Sequence, residues 1–325
     1  MSKKGEAGIT AEAYIQKYGG RLSKHAIGKL MAEERPDLYA TDEYARQLVR
    51  YYCGQRGKAS RTHGDNDNKF FGAYPEKSLD DEMFYDISAR RAKILCLSDV
   101  HVPFHDKLAL DTAINYGLKN GANTVLLNGD ALDHWGESTH ERELRQRDLA
   151  WDYEQYLDFL FELRCAFPKA KILFKMGNHE KRYERALLRT HLRELLGIEH
   201  FQYEKVMKFD ELQITAIPDF TTITVAGLNI IHGHEYRGGG GVNPARWLSL
   251  RTGESTLCGH FHRTSEHSTK SHRGDVTSYW SQGTLAQLSP RYMPYNTWNH
   301  GFSFIIKEGK MFHVKNKRIN EGKIL

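Results

Sequence analysis

From residue 92 onward the apolar positions gather into short unbroken runs, each ending in small or polar residues. "AKILCLSD" (92–99), "NTVLLNGD" (123–130) and "KILFKMGN" (171–178) have the composition of strands buried on both faces. Between them, Leu108 to Leu118 and roughly Glu141 to Phe167 carry apolar residues at helical spacing. Strand, helix, strand, helix, strand is the order of a parallel sheet covered by helices.

After residue 201 the chain becomes strand-rich. "LQITAIPDFTTITVAGLNIIHGHE", "ESTLCGHFH", "VTSYWSQGTL" and "FSFIIKEGKMFHVKN" are rich in β-branched and aromatic residues, with "KEGK" as a hairpin turn.

The first 53 residues read differently, as short helices. "TAEAYIQKYG" opens at Thr10, a candidate cap, and ends at Gly19-Gly20; "LSKHAIGKLMAEERP" places Ile27, Leu30 and Met31 on one face and stops before Pro36. In "ATDEYARQLVRYYCG" the face is formed by Tyr44, Leu48, Tyr51 and Tyr52. Short helices joined by tight turns resemble a helix-turn-helix unit, with a helical cap or an interaction arm as the other reading. The expected division is a helical module over 1–53, a linker or mobile segment over 54–91 and one large domain over 92–325.

Composition changes this picture little. In 325 residues, 40% hydrophobic and 27% charged, there is material for a full enzyme core. No apolar run approaches the roughly 20 residues of a membrane helix, and "MSKKGEAGIT" lacks the apolar segment of a secretory signal, so a cytoplasmic protein without membrane contact is expected. Cys53, Cys96, Cys165 and Cys258 are scattered without metal-binding or redox spacing, and Cys96 and Cys258 sit in apolar runs as small core residues. The net charge of +5 is concentrated early: residues 1–70 hold 13 Lys and Arg against 9 Asp and Glu. That excess makes nucleic acid a candidate partner, through basic N-terminal helices. Nothing in the sequence points to a particular protein partner.

The chemistry is carried by polar clusters at the ends of the predicted strands: "SDVH" with Asp99 and His101, "NGDALDHW" with Asp130, Asp133 and His134, "GNHE" with Asn178 and His179, "IIHGHE" with His232 and His234, and "LCGHFHRT" with His260 and His262. In an open α/β sheet the ligand crevice lies outside the carboxyl ends of the strands, so these clusters are expected to converge. Two histidines two apart in a strand face one side and suit a metal, but they would equally suit an exposed edge.

The order D-x-H, G-D-x-x-D, G-N-H-E, H-G-H, G-H-x-H, spanning roughly residues 93 to 265, resembles the calcineurin-like metallophosphoesterase family. The resemblance implies a four-layer α/β/β/α sandwich and two divalent metal ions, manganese first, with iron, zinc, nickel or magnesium as alternatives. It assigns Asp99, His101 and His262 to one ion, Asn178, His232 and His260 to the other, and Asp130 to both. It further implies that His179 protonates the leaving oxygen or steadies the transition state, that Asp133 orients His179, and that a metal-bridging hydroxide attacks in line. Glu180 and Glu235 are expected to be partners of the ligands rather than ligands.

His234, Arg237 and His134 are the expected substrate contacts. Protein phosphatases of the family carry an arginine where this chain has His134, which argues against that activity; Arg142, Arg182 and Arg185 are candidates to replace it. The leading expectation is a phosphodiesterase acting on DNA or RNA, with the aromatics of "SPRYMPYNTWNHG" (289–301) as a stacking rim or a packed loop. The alternatives are a small-molecule phosphatase or cyclic-nucleotide phosphodiesterase, and an inactive nucleic-acid-binding adaptor.

Overall fold

The computed structural model describes residues 5–53, 83–134, 149–190, 192–238, 241–290 and 292–325. The chain divides into two compact units, Met1–Ser78 and Leu79–Leu325.

Among the described residues the first unit is three helices, Glu6–Tyr18, Lys24–Glu34 and Asp42–Tyr52. Ser23 Oγ accepts the Ala26 N–H and Thr41 Oγ1 the Tyr44 N–H, which caps the second and third helices. Thr10 is not a cap: the first helix starts four residues earlier, and the Thr10 hydroxyl donates to the Glu6 carbonyl inside it. The buried face of the third helix differs from the expectation in part: Leu48 and Tyr52 pack against the core as expected, but they are not its centre. Ala45 and Val49 enter the core with Ala11, Ile27, Met31 and Tyr39, whereas Tyr44 and Tyr51 are exposed. Small side chains let the helices approach, and Tyr44 and Tyr51 are displaced to the rim. The helices are electrically balanced, with seven Lys and Arg against seven Asp and Glu over residues 5–53. The positive surplus of the N-terminal part therefore lies in residues 1–4 and 54–69, outside the described residues, and not on the helices.

The second unit is built on two sheets. Among the described residues one has seven strands and the other six. In the first sheet β2 (Arg91–Leu97), β3 (Thr124–Asn128), β4 (Lys171–Lys175) and β5 (Ile214–Ile217) run parallel, while β11 (His300–Glu308), β12 (Met311–Asn320) and β13 (Lys323–Ile324) continue antiparallel. The second contains β1 (Phe84–Asp86), β6 (Thr222–Val225), β7 (Leu228–Ile231), β8 (Thr256–Cys258), β9 (Ser265–Lys270) and β10 (Val276–Ser281), with β7, β8 and β10 mutually parallel. Phe84–Asp86 falls within the segment expected as a linker, yet it pairs with β6 as an edge strand. The rest of that segment, 54–82, lies outside the described residues, as do residues 141–148 of the expected long helix.

Alternation along the central strands generates the layers. Ile94, Cys96, Leu126 and Leu173 face the other sheet and pack with Ile223, Val225, Leu228, Ile230 and Leu257. The alternate residues Leu95, Leu97, Val125, Leu127, Ile172 and Phe174 pack against helices Lys107–Lys119 and Leu149–Ala166. On the far side, helix Pro244–Thr252 covers the second sheet through Ala245 and Leu248, which meet Ile231, Cys258 and Tyr279. The architecture is a four-layer α/β/β/α sandwich, and Cys96 and Cys258 are buried inside it as free thiols.

Leu126, fully buried between the sheets, tests this layering. Leu126→Ala is expected to cost about 2–5 kcal/mol. Leu250→Ala, on the exposed face of helix Pro244–Thr252, is expected to stay within about 0.5 kcal/mol. Denaturant midpoints measure both, and equal effects would contradict the assignment of layers.

Candidate metal centre

The parallel strands of both sheets end at one level. Asp99 and His101 follow β2, Asp130 follows β3, Asn178 and His179 follow β4, His232 follows β7, and His260 and His262 follow β8. Asn128 joins the two sheets there: its side-chain Nδ2 donates to Ile231 O at 2.8 Å, and its own carbonyl faces His232 Nδ1 at 2.8 Å. That carbonyl fixes the Nδ1–H tautomer of His232 and turns Nε2 inward. Gln282 adds a second tie, donating to Cys96 O at 2.9 Å.

The turns after the strands are unusual. Asp99, His101, Asp130, His260 and His262 all have positive φ, between 50° and 66°. For residues other than glycine this left-handed conformation costs on the order of 1–3 kcal/mol each and is held only where the surroundings impose it. Two glycines permit the crowding. A Cβ at Gly177 would stand 2.3 Å from Asp130 Oδ1, and one at Gly259 would stand 1.7 Å from Ser98 Oγ. The glycines of "GNHE" and "GHFH" are therefore set by the approach of the Asp130 and Ser98-Asp99 segments.

Two clusters of donor atoms result, one of Asp99, His101 and His262, the other of Asp130, His232 and His260. Asp130 also groups with His101 and His179, so its carboxylate is common to both halves. His262 Nε2 is 3.2 Å from Asp99 Oδ1 and 3.3 Å from His101 Nε2; His232 Nε2 is 3.2 Å from Asp130 Oδ2. The fit to divalent cations can be tested on the atoms themselves. Asp99 Oδ1, Asn178 Oδ1 and His232 Nε2 are buried and make no hydrogen bond, and two imidazole nitrogens face each other across 3.3 Å. Polar atoms converging this closely are costly in a protein interior unless a proton or a cation sits between them, and they are what cation ligands require. The oxygen and imidazole set suits Mn²⁺, Fe or Zn²⁺.

Electrostatics within the protein agree. Burial pushes the carboxyls of Asp99, Asp130 and Asp133 upward, but facing histidines overcome it and hold all three well below the usual range: His262 for Asp99, His179 and His232 for Asp130, His101 and His179 for Asp133. Burial, assisted by His232, lowers His260 to about 4, and burial with His179 lowers His101. Both imidazoles are therefore neutral at pH 7. His232 behaves oppositely: burial resists its charge, yet Asp130 and Asp99 raise it to about 10.

His179 lies beside the shared carboxylate. Its N–H donates to Asp130 Oδ1 at 2.9 Å; its Nδ1 is 2.9 Å from Asp133 O and 3.1 Å from Asp133 Oδ1. Asp133 also faces His101 Nδ1 at 2.8 Å, so one carboxylate orients two rings.

Of the expected substrate contacts, His234 lies near, with ring centroids 5.2 Å from His232 and 6.3 Å from His260. Arg237 lies exposed on the following turn. His134 does not fit a substrate role. It is fully buried, its Nε2 is 2.9 Å from Tyr203 Oη, and its ring packs among Tyr153, Tyr156 and Tyr203. Arg142 lies outside the described residues and Arg185 is exposed, whereas Arg182 reaches the centre.

Several residues here carry no signal in the sequence. Asn128 sits inside an apolar strand run, and Gln282 lies far along the chain. Trp298, by contrast, belongs to the aromatic segment 289–301 already singled out, and its ring centroid lies 4.3 Å from that of His262. Glu180 and Glu235 were foreseen as partners only in general form. Glu180 is fully buried and accepts the N–H groups of Gly177, Asp130 and Leu132. Glu235 accepts those of His232 and Gly233 and pairs at 3.0 Å with Lys175. Lys175 is itself fully buried and also donates to Asp219 O and Thr221 O.

The sequence model of the family described as calcineurin-like phosphoesterase matches residues 92–284, more than half of the chain. The chain is 28% identical over 240 residues to the Gene 54 protein of Mycobacterium phage L5, covering 69% of this chain and 91% of that protein. Against the Gene 54 protein of Mycobacterium phage D29 it is 26% identical over 239 residues, with the same coverage. Among solved structures, Vps29 complexed with Zn²⁺ from Entamoeba histolytica is similar with a TM-score of 0.37 at 11% identity, covering 72% of this chain and 96% of that one. A dimetal phosphatase from Danio rerio is similar with a TM-score of 0.33 at 11% identity, covering 72% and 99%.

Two predictions follow from the centre's own electrostatics. His232 is protonated at pH 7 in the metal-free protein and must be neutral to act as a ligand, so metal uptake releases its proton. Calorimetry in buffers of different ionisation enthalpy is expected to show that release, with affinity rising about tenfold per pH unit for each proton displaced; a pH-independent affinity between 6 and 8 would contradict it. Lys175→Met leaves Glu235 as an unpaired buried charge and is expected to cost about 3–5 kcal/mol in denaturant unfolding. Adding Glu235→Gln is expected to recover part of that loss.

Proposed function

Because the chain belongs to the calcineurin-like phosphoesterase family, we propose that it is a dinuclear metal-dependent phosphodiesterase whose substrate is nucleic acid. The observation that carries this reading is the pair of donor clusters meeting at Asp130. Asp99, His101 and His262 would hold one ion, Asn178, His232 and His260 the second, with Asp130 common to both, and manganese suits this oxygen and imidazole set. Divalent ions held there supply positive charge for the phosphoryl oxygens and lower the pKa of the attacking water.

The remaining steps belong to side chains. The His179 Nδ1 edge is turned to Asp133, which leaves Nε2 as the nitrogen for the leaving oxygen. Asp133 and Asp130 raise the proton affinity of His179 against the effect of burial, so the ring can carry the proton it delivers. His234, beside the second cluster, and Arg237, exposed on the turn that follows it, are candidate contacts to the rest of the substrate.

Two features support nucleic acid over a small ester. The basic surplus of residues 1–4 and 54–69 provides Lys3, Lys4, Arg56, Lys58, Arg61 and Lys69 against Asp65 and Asp67, the kind of flank that follows a phosphate backbone. Tyr292 and Tyr295 are exposed on the segment that brings Trp298 against His262, and exposed rings offer faces for bases to stack on.

The test is hydrolysis of labelled single- and double-stranded DNA and of nitrophenyl phosphate mono- and diesters, with Mn²⁺ or chelator, by wild type and Asp130→Asn. Cleavage of DNA and diester that needs both metal and Asp130 is expected, with the variant falling to the level of the chelated enzyme. Turnover of the monoester alone would make the protein a small-ester phosphatase and overturn the nucleic-acid reading.

A further inference from the structure

Arg182 occupies the first turn of helix Lys181–Arg189, directly after the "GNHE" turn. Its guanidinium points back into the centre and its side chain is only 16% exposed. Nη2 donates to His179 Nε2 at 2.9 Å and Nη1 donates to Asp133 O at 2.9 Å. Asp133 Oδ2, at 3.9 Å, is too far for a hydrogen bond. Among the described residues, then, a largely buried cation with five N–H donors is held by two neutral acceptors and by no carboxylate in bonding range.

The contact with His179 has a consequence for the reaction proposed above. A ring nitrogen that accepts from Arg182 cannot donate a proton to a leaving oxygen at the same time. His179 has no second free edge, because Nδ1 is turned to Asp133. For His179 to act, Nη2 must leave Nε2 for another acceptor. His179 Nε2 lies 3.8 Å from Asp130 Oδ2, so the guanidinium rests one side chain away from the shared carboxylate, within reach of an anion bound there. Nearby Lys181 is not equally available, being paired with Asp219 Oδ2 at 3.0 Å.

We propose that Arg182 is the guanidinium that binds the substrate phosphoryl group of this chain, parked on His179 Nε2 until the anion arrives. Transfer of its two N–H groups to phosphoryl oxygens exchanges neutral acceptors for charged ones, a stronger and bidentate arrangement. The same movement uncovers His179 Nε2, which can then take up a proton from water and pass it to the leaving oxygen, so that substrate binding and release of that nitrogen are one event. The proposal deepens the phosphoesterase reading and rests on it. It also gives a physical role to the site that lacks an arginine at position 134.

The test uses the metal-loaded full chain with inorganic phosphate as the probe, so that it is read without turnover. Phosphate affinity is measured by calorimetry for wild type, Arg182→Gln and Arg182→Lys, alongside metal content and KM for a nitrophenyl diester. Losing a charge-assisted pair predicts a phosphate affinity weakened roughly 10- to 100-fold in Arg182→Gln, with a raised KM and unchanged metal content. Arg182→Lys, which keeps the charge without the fork, is expected to fall between the two. A phosphate affinity in Arg182→Gln within about twofold of wild type would overturn the proposal, taking about tenfold per 1.4 kcal/mol as the scale. So would equal loss of metal from both variants, which would make Arg182 a scaffold for Asp133. A wild type that binds phosphate through Arg182 but hydrolyses no ester would instead overturn the phosphoesterase reading alone.

Discussion

The centre depends on Asn128, which fastens the two sheets together where their strand ends meet. Its amide reaches across to Ile231 O while its carbonyl takes the Nδ1 side of His232. Asp99, Asp130 and Asn178 come from one sheet, and His232, His260 and His262 from the other. A slip between the layers would separate the ligands of one sheet from those of the other. Asn128 sets that register through its side-chain amide, and the direction of the His232 lone pair through its backbone carbonyl, at the end of a fully buried strand. The apolar contacts between the sheets supply most of the attraction; the amide supplies the alignment.

Around that joint the protein concentrates strain and charge together. Five of the seven candidate ligands sit in left-handed backbone, and three carboxylates are held ionised in the interior by neighbouring histidines. Neither feature favours folding by itself. Both become intelligible if the energy is recovered when cations settle among the converging lone pairs, since binding to the folded state adds directly to its stability. The buried Lys175–Glu235 pair fits the same pattern: it fixes the backbone N–H groups beside His232 at the expense of desolvating two charges.

Much of this was legible in the sequence because its periodicities are strong. The runs at 92–99, 123–130 and 171–178 gave the parallel strands, and the polar residues closing each run located the crevice. What escaped has physical causes. Asn128 and Lys175 lie within apolar strands, where a pattern of alternation cannot separate a functional polar residue from an exposed one. His134 follows Asp133 in a cluster full of ligands, yet the left-handed turn at its own position rotates the ring into a tyrosine pocket. On the third N-terminal helix Leu48 and Tyr52 pack against the core as expected, but Tyr44 and Tyr51 outweigh Ala45 in hydrophobicity and yet stay exposed, while the small alanine is the fully buried residue. Residue counts over 1–70 likewise credited the helices with a charge that belongs to the flanking segments.

The central proposal is that the end of this sandwich is a two-cation site organised around Asp130, from which phosphoester chemistry would follow. Anomalous diffraction from crystals grown with Mn²⁺ tests that most directly. Two peaks roughly 3.5–4 Å apart, as expected for a two-metal clamp, are predicted on either side of the Asp130 carboxylate, one among Asp99, His101 and His262 and the other among Asn178, His232 and His260. A single peak, or peaks that leave Asp130 outside the coordination of either ion, would contradict it.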